Sequence, residues 1–227
     1  MKLVVFDMDQ TLVDFLPVHD EAARRLFKEF FGVNARLSEL DFSGKSLIEN
    51  FNELARLKNI REDAFQGRRK QLLQTYETAF GESLPRNATK YILPGVKKLL
   101  NGLSKTDHVV ALYTGDSREI VNQVFRATGL GRYFKFRFYG TEVESRTDMI
   151  RLAIAEAKKL TGQRFEGKNL VVIGDSVRDV ECGKAFGALI IAVATGVHSQ
   201  EELREAGADY VFGNLRDYRK VLQAIDR

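Results

Sequence analysis

The apolar positions of this chain follow two different rhythms. Near the N-terminus Leu3 to Phe6 form an unbroken apolar run, which predicts a strand over residues 2–6 that is buried on both faces in a parallel sheet. From about residue 16 to 85 the period becomes helical. Leu26, Phe27, Phe30 and Phe31 recur at helical spacing, then Leu47, Ile48, Phe51, Leu54 and Ala55, then Leu72, Leu73, Tyr76 and Phe80. These stripes predict the core of a helix bundle, with no strand among them. After residues 93–96 (LPGV) the two rhythms alternate. Strands are predicted at 109–115 (VVALYTG), 134–139, 170–176 (LVVIGDS), 189–196 (LIIAVATG) and, short, 210–212. Between them fall a helix marked by Ile120, Val121, Val124 and Phe125 and stopped by Gly129 as a C-cap, one over 147–160, one ending near Gly187, and a terminal one around 215–225.

Strands alternating with helices imply βαβ units and a parallel sheet with right-handed crossovers. The fold class predicted is α/β: a doubly wound parallel sheet, interrupted after its first strand by an all-helical insert. The expected division is a core of residues 1–15 and 86–227 and a helical cap of residues 16–85, with Pro85 and Pro94-Gly95 stiffening the return. A length of 227 residues suits one domain with such an insertion.

Composition narrows the function classes. Hydrophobic residues at 44% and charged residues at 29% describe ordinary globular material. Thirty-five basic against thirty-one acidic residues leave a net charge of +4, too evenly mixed for a nucleic-acid surface. The densest basic cluster, Arg68-Arg69-Lys70, reads as a solvated helix face. The single cysteine, Cys182, excludes an intrachain disulfide and a cysteine-rich zinc site, and it reads as a packing residue. No apolar stretch approaches the roughly 18 residues that span a bilayer, and the run before Asp7 is too short for a signal peptide. A cytoplasmic protein without membrane or nucleic-acid partners is expected, as monomer or homodimer.

Ligands of open α/β sheets bind beyond the carboxyl ends of the strands. The first strand delivers Asp7 and Asp9 there, the second Thr114, Gly115 and Asp116, and the fourth Asp175 and Ser176, with Asp179 four positions after Asp175. Arg146 lies between the third and fourth strands. Each alone has a plain structural role, since Thr-Gly makes turns and Asp or Ser caps helices. Gathered at one rim, the carboxylates require a proton or a cation: two unit charges about 4 Å apart repel by about 4 kcal/mol at an effective dielectric near 20. Oxygen donors without cysteine or a histidine motif favour a hard ion, and Mg2+ suits a few carboxylates plus phosphate oxygens. His19, His108 and His198 are scattered and read as surface or packing residues.

The ordered set DMDQT, YTG, a basic residue and GDSVRD resembles the haloacid dehalogenase superfamily over the whole chain, with the helical insert placed as in its phosphoglycolate phosphatase and β-phosphoglucomutase branch. The resemblance implies a Mg2+-dependent phosphatase acting on a small phosphorylated metabolite, phosphoglycolate-like or a sugar phosphate. Asp7 matches the nucleophile that forms an aspartyl-phosphate, and Asp9 the general acid/base that also offers its carbonyl to the metal. Thr114 and the Gly115 amide match the phosphate-binding motif, Arg146 the catalytic cation, Asp175 a metal ligand and Asp179 its indirect support.

Three positions depart from the family pattern: Gln10 where glycine is usual, Phe15 for a small polar residue, and Arg146 for lysine. Dehalogenation is disfavoured by the presence of Asp9. A phosphosugar mutase of the same fold, or a non-catalytic phosphate-binding or regulatory relative, stay open as alternatives. Residues 41–47 (DFSGKSL) are the expected cap loop over the site. Gly44 would allow its turn, and Lys45 would meet a substrate anion or, alternatively, lie in solvent beside a Ser46 helix cap. As an i, i+2 pair, Asp7 and Asp9 would point the same way in a regular strand.

Overall fold

Unbroken apolar strands need cover on both faces, and here helices supply it. The computed structural model describes residues 1–227, apart from the side chain of Glu62. In chain order the elements are β1 (Leu3–Phe6), α1 (Leu16–Phe31), α2 (Leu47–Leu57), α3 (Glu62–Gln66), α4 (Arg69–Ser83), α5 (Val96–Leu103), β2 (Val109–Thr114), α6 (Arg118–Thr128), β3 (Phe136–Tyr139), α7 (Arg146–Thr161), β4 (Leu170–Gly174), α8 (Val177–Lys184), β5 (Leu189–Val193), α9 (Gln200–Glu205), β6 (Tyr210–Phe212) and α10 (Tyr218–Asp226). Two short helices, α5 and α9, do not figure in the sequence reading. Strand β3 begins at Phe136, two residues later than expected, and α7 begins at Arg146, one residue earlier than expected.

The strands form one parallel sheet in the order β3-β2-β1-β4-β5-β6. The chain winds outward from β1 in one direction through β2 and β3, then returns to its other side with β4. This reversal puts a crevice at the carboxyl ends of β1, β2 and β4. Phe6 pairs in register with Leu112 on one side and Ile173 on the other, so the three ends lie level.

Pleating divides the β1 side chains between two cores. Val4 and Phe6 join the larger cluster, which includes apolar residues of α1, α4, α5 and α6. Leu3 and Val5 join Val109, Ala111 and Tyr113 of β2 against Met149, Ile150 and Ala153 of α7. Each fully buried aliphatic or aromatic side chain of this kind is worth about 1.5–3 kcal/mol. Asp7 follows the parity of Leu3 and Val5, which directs it toward the α7 side.

Residues 16–83 contribute helices and no strand among the described residues. Phe15, at the start of α1, is fully buried, with its ring 4.7 Å from that of Tyr91 and 6.2 Å from that of Phe80. The position that departs from a small polar residue thus fills the base of the helical segment. The two stretches of chain that connect this segment to the sheet are bonded to each other: Asp14 N donates to Tyr91 O at 2.8 Å, and Leu93 N to Leu12 O at 3.0 Å. Gly129 caps α6 at φ +73°, in the left-handed conformation expected of it.

Candidate active site

Strand β1 stops at Phe6, so pleat alternation does not carry on to Asp9 and does not align the two aspartates. They line one cleft by a different route. Asp7 is still anchored to the sheet, its amide donating to Ile173 O at 2.9 Å. The chain then turns: Gln10 adopts φ +58°, with its amide donating to Val13 O at 2.7 Å. The left-handed turn usual for glycine is therefore kept with a side chain in place, at a cost of roughly 1–2 kcal/mol. Gln10 Nε2 donates to Asp14 Oδ1 at 2.8 Å, and Thr195 Oγ1 donates to the Gln10 carbonyl. These contacts hold the turn in its strained form.

Asp7 is 6% exposed and accepts from Arg146 Nη2 at 2.7 Å. The same Nη2 bonds Asp179 Oδ1, and the guanidinium lies 4.5 Å over the ring of Tyr113. Arg146 occupies the first turn of α7, where Ser145 caps the helix by accepting from Asp148 N. A lysine has no planar fork to stack in this way, so the replacement changes how the cation is held. Asp179 accepts from Tyr113 Oη at 2.6 Å and from Ser176 N and Oγ at 3.0 and 2.6 Å. Ser176 in turn caps α8 by accepting from Asp179 N at 3.2 Å. Both oxygens of Asp179 are engaged, and the residue at once caps a helix and positions Arg146.

Asp175 is 3% exposed and accepts from Thr11 Oγ1 at 3.0 Å. Thr11 has no role in the sequence reading, although its hydroxyl fixes a carboxylate that the reading singles out. Carboxylate oxygens of Asp7, Asp175 and Asp179 lie within 4.8 Å of one another. Burial pushes the Asp7 carboxyl up to about 8, although the adjacent Arg146 pulls the other way. Burial, then the Asp7 charge, raises Asp175 well above the usual carboxylate range. Burial also opposes the ionised form of Asp179, but Arg146 with the Ser176 and Tyr113 hydrogen bonds outweighs it and holds that carboxyl low. The crowding is of the kind a hard divalent cation relieves, and an all-oxygen donor set suits one.

The cleft, with the open solvent at its mouth included, spans about 550 Å3 and is lined by Asp7, Asp9, Thr114, Gly115, Arg146 and Asp175 from the sheet side. Thr114 is 1% exposed, and its Oγ1 accepts from Asp116 N at 3.2 Å. Phe42, Ser43, Gly44, Lys45 and Leu47 line the opposite wall. The loop is docked by backbone contact, Leu47 N donating to Gly115 O at 3.0 Å. A Cβ on Gly115 would stand 2.0 Å from Lys45 O, so only glycine admits the approach. Gly44 turns at φ +65°, and a Cβ there would meet the side chains of Ser176 and Arg178 at 2.8 Å. Ser46 does cap α2, accepting from Glu49 N at 3.3 Å, but Lys45 is not in solvent. It faces the cleft with its Nζ bonded to Glu53 Oε2 at 2.7 Å.

Reading His19 as a surface or packing residue misses its position. It is buried on α1 and lines the cleft, with Nε2 at 3.4 Å from Asp9 Oδ1 and 3.9 Å from Asp116 Oδ2. Its Nδ1 pairs with Tyr76 Oη at 2.7 Å. His108 serves elsewhere, between Lys2 N and Asp226. Asp116 is 4% exposed, and burial, then the Asp9 charge, raises its carboxyl well above the usual range. In the sequence His19 belongs to no motif; it sits in the first turn of α1, on the buried stripe with Ala22, Ala23 and Leu26.

Among known proteins, the family model for haloacid dehalogenase-like hydrolases matches residues 4–193. A phosphoglycolate phosphatase of Synechococcus elongatus is 24% identical over 225 residues, covering 99% of this chain and 97% of its own. A solved structure described as a predicted phosphoglycolate phosphatase from Haemophilus somnus superposes with TM-score 0.78 at 19% identity, over 98% of both chains. A β-phosphoglucomutase structure from Clostridium difficile gives TM-score 0.78 at 15% identity, over 100% of this chain and 97% of that one.

Proposed function

The chain belongs to the haloacid dehalogenase-like hydrolases, and from that premise we propose that it is a Mg2+-dependent phosphatase of a small phosphorylated metabolite, a phosphoglycolate-like compound or a sugar phosphate. The observation that carries this is the convergence of Asp7, Asp9, Thr114, Arg146 and Asp175 on one cleft beneath a docked loop. No helix of the described residues is long and apolar enough to cross a membrane, consistent with a dissolved substrate.

Asp7 attacks phosphorus through a carboxylate oxygen, and the bond from phosphorus to the ester oxygen breaks. Asp9 gives its proton to that departing oxygen. In the second half Asp9 takes a proton from water, the water oxygen attacks the aspartyl-phosphate, and Asp7 is regenerated as phosphate leaves. Arg146, held by Asp179 and stacked on Tyr113, keeps Asp7 in place and presents positive charge to the phosphoryl oxygens. Thr114 and the Gly115 amide hold the phosphate. Asp7, Asp175 and the Asp9 carbonyl would hold Mg2+, with Asp179 indirect because its oxygens are engaged elsewhere. The ion, when bound, supplies further charge stabilisation to the phosphoryl group. The loop of residues 41–47 excludes water from the cleft during transfer.

Purified protein with Mg2+ is expected to release inorganic phosphate from p-nitrophenyl phosphate without any bisphosphate activator, and Asp7→Asn to abolish release. Full turnover in Asp7→Asn would overturn the mechanism. Dependence on a bisphosphate would favour a mutase.

A further inference from the structure

The cleft holds more hydrogen-bonding capacity than phosphoryl transfer uses. Among the described residues, nine buried side-chain atoms have no hydrogen-bond partner, and six of them, on Asp9, His19, Ser43, Asn50, Asp116 and Arg146, belong to residues lining this cleft; the Asp9, His19 and Asp116 atoms are ionic neighbours at 3.4 and 3.9 Å. Asp9 and Arg146 serve the transfer. Ser43, Asn50 and Asp116 do not, and each is only 4% exposed. Burying a polar atom without a partner is costly, so three such groups around one cavity call for a ligand that completes them.

Their chemistry describes that ligand. Asp116 Oδ2 and Asn50 Oδ1 are acceptors, and Ser43 Oγ can accept or donate. Asp9, His19 and Asp116 bring their polar atoms within 4.8 Å of one another, with His19 Nε2 between the two carboxylates. The nearby cations are already engaged: Lys45 with Glu53 at 2.7 Å, and Arg146 with Asp7 and Asp179. A second anion on the substrate therefore faces the carboxylates of Asp9 and Asp116, already shared by His19, and finds no unengaged lysine or arginine lining the cleft. Lys45 on the facing wall, with the neutral Asn50 and Ser43, suits hydroxyl groups better than a second cation.

We propose, resting on the phosphatase reading above, that Asp116 is a specificity-determining residue. With Asn50 and Ser43 it binds hydroxyl groups on the carbon skeleton of an otherwise uncharged phosphate ester and turns away a carboxylate. The relatives named for phosphoglycolate act on a carboxylated ester, so this chain's preference differs from theirs.

The experiment compares kcat/KM for glycerol 1-phosphate, 2-phosphoglycolate, ethanolamine phosphate and p-nitrophenyl phosphate with Mg2+, in the unmodified chain and in Asp116→Asn. The unmodified chain is expected to favour glycerol phosphate over phosphoglycolate by at least about tenfold, and Asp116→Asn to shrink that ratio by at least about tenfold. The ratio is internal to each protein, so a general loss of activity cancels. Asn50→Ala on the facing wall supplies a second reading, lowering glycerol phosphate turnover several-fold relative to phosphoglycolate. Preference for phosphoglycolate or ethanolamine phosphate, or a ratio unmoved in both variants, overturns the inference while p-nitrophenyl phosphate is still hydrolysed. Failure on p-nitrophenyl phosphate too overturns the phosphatase reading and this inference with it.

Discussion

At the scale of single residues, the turn after Asp7 is the place where local preference and structure disagree. Gln10 sits at φ +58°, where glycine would be at ease, and its side chain recovers part of the cost by bonding Asp14. Replacing it separates the two contributions. Gln10→Ala loses the side-chain bond and keeps the strained Cβ, whereas Gln10→Gly loses the bond and the strain together. Denaturant unfolding is expected to find the glycine variant more stable than the alanine one by about 1 kcal/mol. Equal stabilities would show that the turn is not strained. The departure was visible in the sequence, but its outcome was not. A lone glutamine does not announce which conformation its neighbours will impose. His19 is the opposite case: its residue type suggested chemistry, and its place on an apolar helix stripe concealed it.

At the scale of elements, the strands were the most legible parts, because runs such as Leu170–Gly174 are buried on every residue and leave no helical alternative. The helix starts were legible where a capping Ser precedes them, as at Ser46 and Ser176. The docking of residues 41–47 on the end of β2 was only partly so. Gly44 marked a turn, but the close approach of Lys45 O to Gly115 joins positions far apart in the chain, and no local pattern encodes it. That contact makes a sharp prediction. Gly115→Ala, with its Cβ forced against the loop backbone, is expected to lower kcat/KM on p-nitrophenyl phosphate by about 100-fold through misplacement of the phosphate site, while circular dichroism stays unchanged. Near-normal kinetics would mean that the loop gives way without consequence.

At the scale of the whole molecule, a doubly wound parallel sheet and carboxylates gathered at its rim were expected from the alternation of strands and helices, whereas the strand order, with its reversal beside β1, is seen only in the structure. The energetic consequence is a site that destabilises the protein without its ion. A carboxyl like Asp7 titrates near 3.8 when unfolded but keeps its proton up to about 8 when folded. Between those values the folded chain binds more protons, so its stability falls as pH rises. A divalent cation displaces the proton most easily where that proton is already weakly held. Thermal melts are therefore expected to show a larger Mg2+-dependent gain over chelator at pH 8 than at pH 6. An equal gain at both would show that Asp7 is ionised throughout.

The bonded pair of connecting stretches, Leu12 to Asp14 beside Tyr91 to Leu93, has a consequence for how such a protein can change. Because the helical segment leaves and rejoins the sheet at hydrogen-bonded neighbours, flexible residues added to its connecting loops enter the folding balance only logarithmically. Doubling a flexible loop costs about 0.6 kcal/mol. The segment is thus held like a tool in a fixed chuck: its outer loops can lengthen while the bonded pair of stretches keeps His19 over the carboxylates beneath.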